Sequence, residues 1–158
     1  MENSVYYDSF IGSLYISENG NGITSIQFAF NSPGKKNVSK LTPLLKETIR
    51  QLTEYFDGIR QTFDIPIAPR GTDFQLKVWK ALQYIHYGET CTYKDIAEQI
   101  NCPKGFRAVG LANNRNPIPI IIPCHRVIGA NGKLVGYAGG LDVKTQLLAI
   151  EGFMRRNV

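Results

Sequence analysis

The segment Thr92-Tyr93-Lys94-Asp95-Ile96-Ala97-Glu98-Gln99-Ile100-Asn101-Cys102-Pro103-Lys104-Gly105-Phe106-Arg107-Ala108-Val109-Gly110-Leu111-Ala112-Asn113-Asn114-Arg115 carries two short helical patterns broken by one tight turn. Thr92 is placed to cap a helix over Tyr93–Ile100, buried through Ile96, Ala97 and Ile100. The run from Asn101 to Gly105 breaks it, and a second helix follows from Phe106 to Asn114. Two short helices on a tight turn predict a helix-turn-helix. The second helix holds Gly110, which costs about 1 kcal/mol relative to alanine in a helix interior. Ala108, Gly110 and Ala112 would let its backbone approach another surface closely. Two readings follow: close helix–helix packing, or a recognition helix pressed into a groove with Arg107 and Arg115 reaching phosphates or bases.

Upstream, Thr72 or Asp73 can cap another helix, whose apolar face is Phe74, Val78, Leu82 and Ile85 with Trp79 beside it. The first 30 residues differ in kind. Val5–Phe10 and Ser13–Ser17 are rich in aromatic and β-branched residues, Glu18–Gly22 is a turn, and Ile23–Phe30 alternates loosely. A polar loop with Pro33-Gly34 leads into a helical pattern over Leu41–Phe56, ended by Gly58. Phe63, Ile65 and Ile67 alternate like one more strand, and Pro66 to Gly71 reads as a linker. The expectation is an α+β chain of two domains. Residues 1–68 form a small sheet-plus-helix domain, and residues 69–158 a mostly helical one that ends in a helix over Asp142–Ile150.

At 158 residues the chain is long enough for one full core or two small lobes. Apolar residues make up 43% and charged residues 20%, as in ordinary globular proteins, and no apolar run approaches a membrane span. The polar, acidic start Met1-Glu2-Asn3-Ser4 is unlike a secretory leader. Three scattered cysteines do not make a disulfide framework, so the expected compartment is the reducing cytoplasm. The net charge of +5 favours a polyanionic partner. Residues 77–126 concentrate that charge in Lys77, Lys80, Lys94, Lys104, Arg107, Arg115 and Arg126.

Downstream, the apolar run Ile118-Pro119-Ile120-Ile121-Ile122 reads as a core strand that emerges at Pro123-Cys124-His125-Arg126-Val127. Cysteine is nucleophilic as thiolate, and a neighbouring imidazole or guanidinium lowers its pKa. Cys124 is thus a candidate nucleophile, against the alternative of a small buried residue. If the segment is extended, Cys124 and His125 point to opposite sides, so contact between them needs a water or a bend. That is awkward for a cysteine hydrolase but adequate for a thiolate needed once. With only His86 and His125 and no paired CxxC, no metal site is expected. Leu134–Gly140 is a glycine-rich loop able to line a pocket, without the order of a phosphate-cradling loop.

Asn116-Pro117-Ile118-Pro119-Ile120-Ile121-Ile122-Pro123-Cys124-His125-Arg126-Val127 closely resembles the active-site block of the methylated-DNA–protein-cysteine methyltransferases, the O6-alkylguanine-DNA alkyltransferases. Gly71–Gln75 with Val78-Trp79, Tyr93, Arg107–Gly110, Gly136–Gly140, Lys144 and Glu151 fall in register as well. So do Tyr55–Gly58, Phe63 and Pro66 in the first domain, for which the resemblance implies a ribonuclease-H-like fold. It further implies repair by direct reversal, without cofactor, by a monomer bound in the minor groove of double-stranded DNA. The alkyl group of O6-alkylguanine, and of O4-alkylthymine, would pass irreversibly to Cys124, so each molecule acts once.

The residue roles come from the same resemblance. Glu151 would orient His125, which deprotonates Cys124 through a water. Asn116 would orient the loop, and Tyr137 would assist the leaving base. Tyr93, Arg107, Ala108, Gly110 and Arg115 would contact DNA, with Arg107 filling the place of the flipped nucleotide. Tyr93, Val127, Ala138 and Lys144 would surround the base. Ala138 stands where some members carry serine, which removes one side-chain hydrogen bond to the base. The alternatives are a non-catalytic binder of alkylated bases, whose known examples usually lack the cysteine, and a plain helix-turn-helix regulator.

Overall fold

The computed structural model describes residues 2–31 and 36–153, in two compact units divided between Arg70 and Gly71. Met1 and the Pro33-Gly34 turn lie outside the described residues.

In the first unit β1 (Asn3–Ser9), β2 (Gly12–Glu18) and β3 (Ile23–Phe28) form an antiparallel meander in chain order. Val5 pairs with Ile16, Tyr7 with Leu14, and Leu14 with Phe28, so one face carries the side chains that α1 (Pro43–Phe56) covers. Leu14, Ile16, Leu45, Leu52 and Tyr55 are all buried there. The helix starts where Thr42 accepts from the Leu45 N–H, with Pro43 in the first turn, where its missing N–H costs nothing. Glu18 is buried beside this cap: its carboxylate accepts from Thr42 Oγ1 (2.7 Å) and from the Gly20 N–H (2.5 Å).

Two expectations need correction here. Ala29 and Phe30 leave the sheet in a short 3-10 turn, Ala29–Asn31. The alternation at Phe63, Ile65 and Ile67 does not make a strand: Ile67 forms a single parallel bridge with Ile23. Ile23 donates to the Pro66 carbonyl and accepts from the Ala68 N–H, and Pro66, having no N–H, cannot extend the ladder.

The second unit holds α2 (Asp73–Leu82), β4 (Cys91–Thr92), α3 (Tyr93–Gln99), α4 (Phe106–Asn114), β5 (Val127–Ile128) and α5 (Leu141–Ile150). Thr72 with Gln75, and Thr92 with Asp95, form reciprocal capping boxes that set where α2 and α3 begin. Both helices pack on α4. The Trp79 indole is buried and donates to the Ala112 carbonyl at 2.8 Å, tying α2 to the end of α4. Gly71 allows this, since a Cβ there would lie 2.5 Å from the indole ring. β4 and β5 pair in parallel, Cys91 with Val127 and Thr92 with Ile128, joining the start of α3 to the chain just after Cys124. Among the described residues no helix is long and apolar enough to cross a membrane.

Candidate active site

Ile118, Pro119, Ile120 and Ile122 are buried, but the run is a turn and not the expected strand. Ile122 donates to the Ile118 carbonyl at 2.9 Å, and Ile120 holds φ +76°, a conformation that strains a β-branched side chain. Pro117 and Pro119 remove the N–H groups a strand would need. Asn116 closes the loop instead. Its Nδ2 donates to the Ile122 carbonyl (2.8 Å), and its Oδ1 accepts from the Ile118 N–H (2.9 Å).

Pro123, at φ −81° and ψ 63°, then makes an inverse γ-turn in which the Cys124 N–H donates to the Ile122 carbonyl at 2.7 Å. Cys124–Arg126 is a single 3-10 turn, so the extended backbone considered from sequence is also corrected. Successive side chains on such a turn diverge by about a third of a circle instead of pointing to opposite faces. Asn113 Nδ2, from the last turn of α4, donates to the Cys124 carbonyl at 3.3 Å. The helix-turn-helix and the thiol turn are thereby linked directly.

His125 is fully buried. Its Nε2 lies 2.6 Å from Glu151 Oε2 at the end of α5, while Nδ1 has no hydrogen-bond partner among the described residues. A carboxylate can only accept, so Nε2 carries the proton and Nδ1 presents its lone pair. Burial holds the imidazole below its ordinary pKa of 6.5, against the opposing pull of Glu151, so it is neutral at pH 7. Arg126 does not face the thiol. It spans both Glu151 oxygens, Nε to Oε1 at 2.8 Å and Nη2 to Oε2 at 3.0 Å, and donates from Nη1 to the Ile85 carbonyl at 2.7 Å.

Cys124 is buried, and burial pushes its thiol up to about 11. Hydrogen bonding from Asn116, the Lys144 charge and the Tyr137 side chain pull the other way. Lys144 is itself fully buried; its ammonium donates to the carbonyls of Val127 (2.6 Å) and Val135 (3.0 Å). Burial lowers its pKa to about 8, opposed by Cys124. Tyr93, in the first turn of α3, donates to the same Val135 carbonyl at 3.2 Å, and burial and then Cys124 raise its pKa. Lys144 and Tyr93 thus hold the glycine-rich loop over the thiol turn. At Gly136, with φ +47°, a Cβ would meet the Asn114 amide at 3.2 Å, so glycine lets this loop pass close to α4.

The structure gathers Cys124, His125, Glu151, Asn116, Tyr137, Lys144, Val127 and Tyr93 around one turn. Arg107, Ala108 and Arg115 are not part of that cluster: they are exposed, with Leu111 and Asn114, on the outer face of α4. Gly110 lies beside this face, and the nearest side-chain atoms to an added Cβ would be the Tyr93 ring at 3.8 Å. Among the described residues no tight helix packing therefore requires that glycine. Ala138 is exposed on the glycine-rich loop. Sequence reasoning missed Asn113 and the inward turn of Arg126. The adjacency of Arg126 to His125 was visible, but its engagement of a carboxylate 25 residues away was not. Among the described residues no group of three or more His, Cys, Asp or Glu side chains could hold a metal ion.

A helix-turn-helix joined to a buried thiol, with a buried histidine on the same turn, points to a DNA-binding protein. The family comparisons carry this further. The 6-O-methylguanine DNA methyltransferase DNA binding domain matches residues 73–153, and the ribonuclease-like domain of the same proteins matches residues 4–69. The chain is 51% identical over 156 residues to a methylated-DNA–protein-cysteine methyltransferase of Methanosarcina barkeri, covering 93% of this chain and 97% of the relative. A crystal structure of the Mycobacterium tuberculosis O6-methylguanine methyltransferase superposes with a TM-score of 0.88 at 42% identity, covering 99% of this chain and 97% of that one. A structure of Mycobacterium tuberculosis OGT in complex with DNA superposes at 0.84 and 45% identity, covering 95% and 91%. The chain belongs to the methylated-DNA–protein-cysteine methyltransferase family. Its activity is DNA repair by transfer of an alkyl group from DNA to a cysteine of the protein.

Proposed function

We propose that Cys124 is the alkyl acceptor and that O6-alkylguanine in double-stranded DNA is the donor, with O4-alkylthymine as a further substrate. One observation carries this reading: Cys124 shares a 3-10 turn with a buried histidine whose Nε2 is held by Glu151 and whose Nδ1 is left free to accept a proton. Cys91 instead lies beside Asp95, whose charge raises its thiol further, and Cys102 is exposed.

In this reading the thiol rests protonated. His125 Nδ1 takes its proton through a water, and Lys144, Asn116 and Tyr137 support the thiolate that forms. Sγ attacks the O6-alkyl carbon, and the S–C bond forms as the O–C bond breaks. The electron pair stays on guanine, which leaves as it takes up a proton with Tyr137 assisting. The thioether has no leaving group that water could displace under these conditions, so the protein acts once.

The exposed face of α4 suits an approach to the minor groove. Arg107 would fill the gap left by a flipped nucleotide, Arg115 would reach phosphate, and the small Ala108 and Gly110 would permit close contact. Tyr93 would press on the adjacent phosphate, and the backbone at Val127 and Ala138 would read the base edge. A monomer acting in the cytoplasm fits a reaction that uses one thiol per lesion.

The test is the intact mass of the chain after incubation with duplex DNA carrying O6-methylguanine. One added methyl group, mapped to Cys124 and absent in Cys124→Ser, is the expected result. A methyl group on another residue overturns the assignment. Arg107→Ala should slow repair of duplex DNA more than reaction with a free O6-alkylguanine base, and equal slowing on both contradicts the flipping role.

A further inference from the structure

Arg126 is a buried cation that the reaction as drawn leaves unused. A guanidinium adjacent in sequence to a nucleophilic cysteine would ordinarily be taken as support for the thiolate. Here it is directed elsewhere. Its fork engages both oxygens of Glu151, its third arm donates to the Ile85 carbonyl, and its guanidinium lies 5.8 Å from the centroid of the Tyr87 ring. Tyr87 donates in turn to the Ile150 carbonyl (3.0 Å), and the Gly88 N–H reaches Glu151 Oε1 at 3.3 Å. The end of α5 is thus tied to the turn at residues 85–88 with Arg126 at the centre.

We propose that Arg126 is a positioning residue for His125: by clamping Glu151 in a bidentate pair, it fixes the one carboxylate orientation in which Oε2 also accepts from His125 Nε2, leaving Nδ1 as the proton acceptor. The inference rests on the reading of His125 as the base that serves Cys124. Oε2 accepts from Arg126 Nη2 at 3.0 Å and from His125 Nε2 at 2.6 Å, so the two donors share one oxygen. A carboxylate held at both oxygens cannot rotate away from the imidazole, and a planar fork holds it where a point charge would not.

Arg126 also acts on the imidazole through its charge. The groups facing His125 are Glu151 and Lys144 from α5 and Arg126 from its own turn, with Tyr87 beyond Arg126. Glu151 favours the imidazolium, while Arg126 and Lys144 disfavour it in addition to burial. The guanidinium therefore offsets the carboxylate's tendency to charge the histidine, which would remove the lone pair the reaction needs. Glu151 supplies orientation, and Arg126 limits the charge that comes with it.

The experiment is a ring-nitrogen NMR titration of His125 in the full chain, wild type against Arg126→Gln, alongside single-turnover methyl transfer across the same pH range. The wild type should show the Nε2–H tautomer. In Arg126→Gln the His125 pKa should rise by about one unit, and the acid limb of the transfer rate should move up with it. A His125 titration that coincides with wild type overturns the proposal. If Arg126→Gln does not fold, Arg126→Lys carries the test: the charge stays but the fork is lost, so the tautomer should become mixed. An unchanged Nε2–H tautomer in that variant overturns the positioning role. The NMR readout separates this inference from the reading beneath it. If His125 responds to Arg126 while methylation maps away from Cys124, the assignment of the acceptor fails and the clamp stands.

Discussion

Cys91 sits in β4 opposite Val127 of β5, three residues beyond Cys124 in the turn that leads into β5. Burial pushes both thiols up to about 11. The surroundings then diverge. Around Cys124 the Asn116 amide, the Lys144 ammonium and the Tyr137 side chain all favour the thiolate, and a histidine on the same turn has a free lone pair. Around Cys91 the further influence is Asp95, whose negative charge raises the thiol again. A perturbed thiol is therefore not by itself a reactive one. What distinguishes Cys124 is a set of groups that resist the effect of its burial and a buried histidine within its own turn.

The sharpest way to break this contrast is to remove each sulfur. Cys124→Ser should reduce methyl transfer to background, while Cys91→Ser should leave it unchanged; intact-mass analysis after exposure to methylated DNA reads both. Next in size is Glu151→Gln, which turns the acceptor of the His125 proton into a neutral amide. Transfer should slow by about 10²–10⁴-fold. Urea melts should show a loss of about 3–5 kcal/mol, because Arg126 is left buried without its carboxylate.

Lys144→Met tests the cationic support directly. Iodoacetamide should label Cys124 about tenfold more slowly, as expected for a rise of about one pKa unit, while Cys91 labelling stays as it was. Equal slowing of both would point to a general loosening of the unit and sink the distinction.

The pH dependence has a definite sign. His125 lies below 6.5, so transfer should decline in acid with a midpoint below pH 6.5, where the imidazole charges. A decline centred above 6.5 would contradict the buried, neutral base. The thiols add a pH dependence of their own to stability, opposite in sign to that of Lys144. Their neutral forms favour the fold fully below the ordinary value of 9.0, and that contribution is lost as pH rises through about 11. Melts of wild type against Cys124→Ala between pH 8 and 11 would read that loss. The smallest effect is expected at Trp79→Phe, which removes the bond to the Ala112 carbonyl beside Asn113. A cost of about 1–2 kcal/mol in urea melts, with transfer mapped to the same residue, fits a supporting role.

Local signals were read well where the physics is local. The caps at Thr72 and Thr92, the helix over Phe106–Asn114 and the meander of the first 30 residues follow from capping oxygens, helical spacing and β-branched runs. The errors fall where a nearby residue changes what the backbone can bond to. Ile118–Ile122 has the composition of a core strand, yet two prolines and the Asn116 side chain make it a turn with Ile120 at positive φ. The strand expected at Phe63–Ile67 is reduced to one bridge at the same kind of obstacle, Pro66.

By itself the sequence determined the two-part α+β plan, the helix-turn-helix, and a thiol flanked by a histidine. Each is encoded within a few residues by periodicity, capping or a motif. Only the tertiary structure decided what those side chains face. Arg126 turns from Cys124 to Glu151, Lys144 buries its ammonium between the Val127 and Val135 carbonyls, and Asn113 links α4 to the Cys124 carbonyl. These choices follow from the need to give every buried charge and carbonyl a partner, and the partners that satisfy it lie 9 to 25 residues apart in the chain.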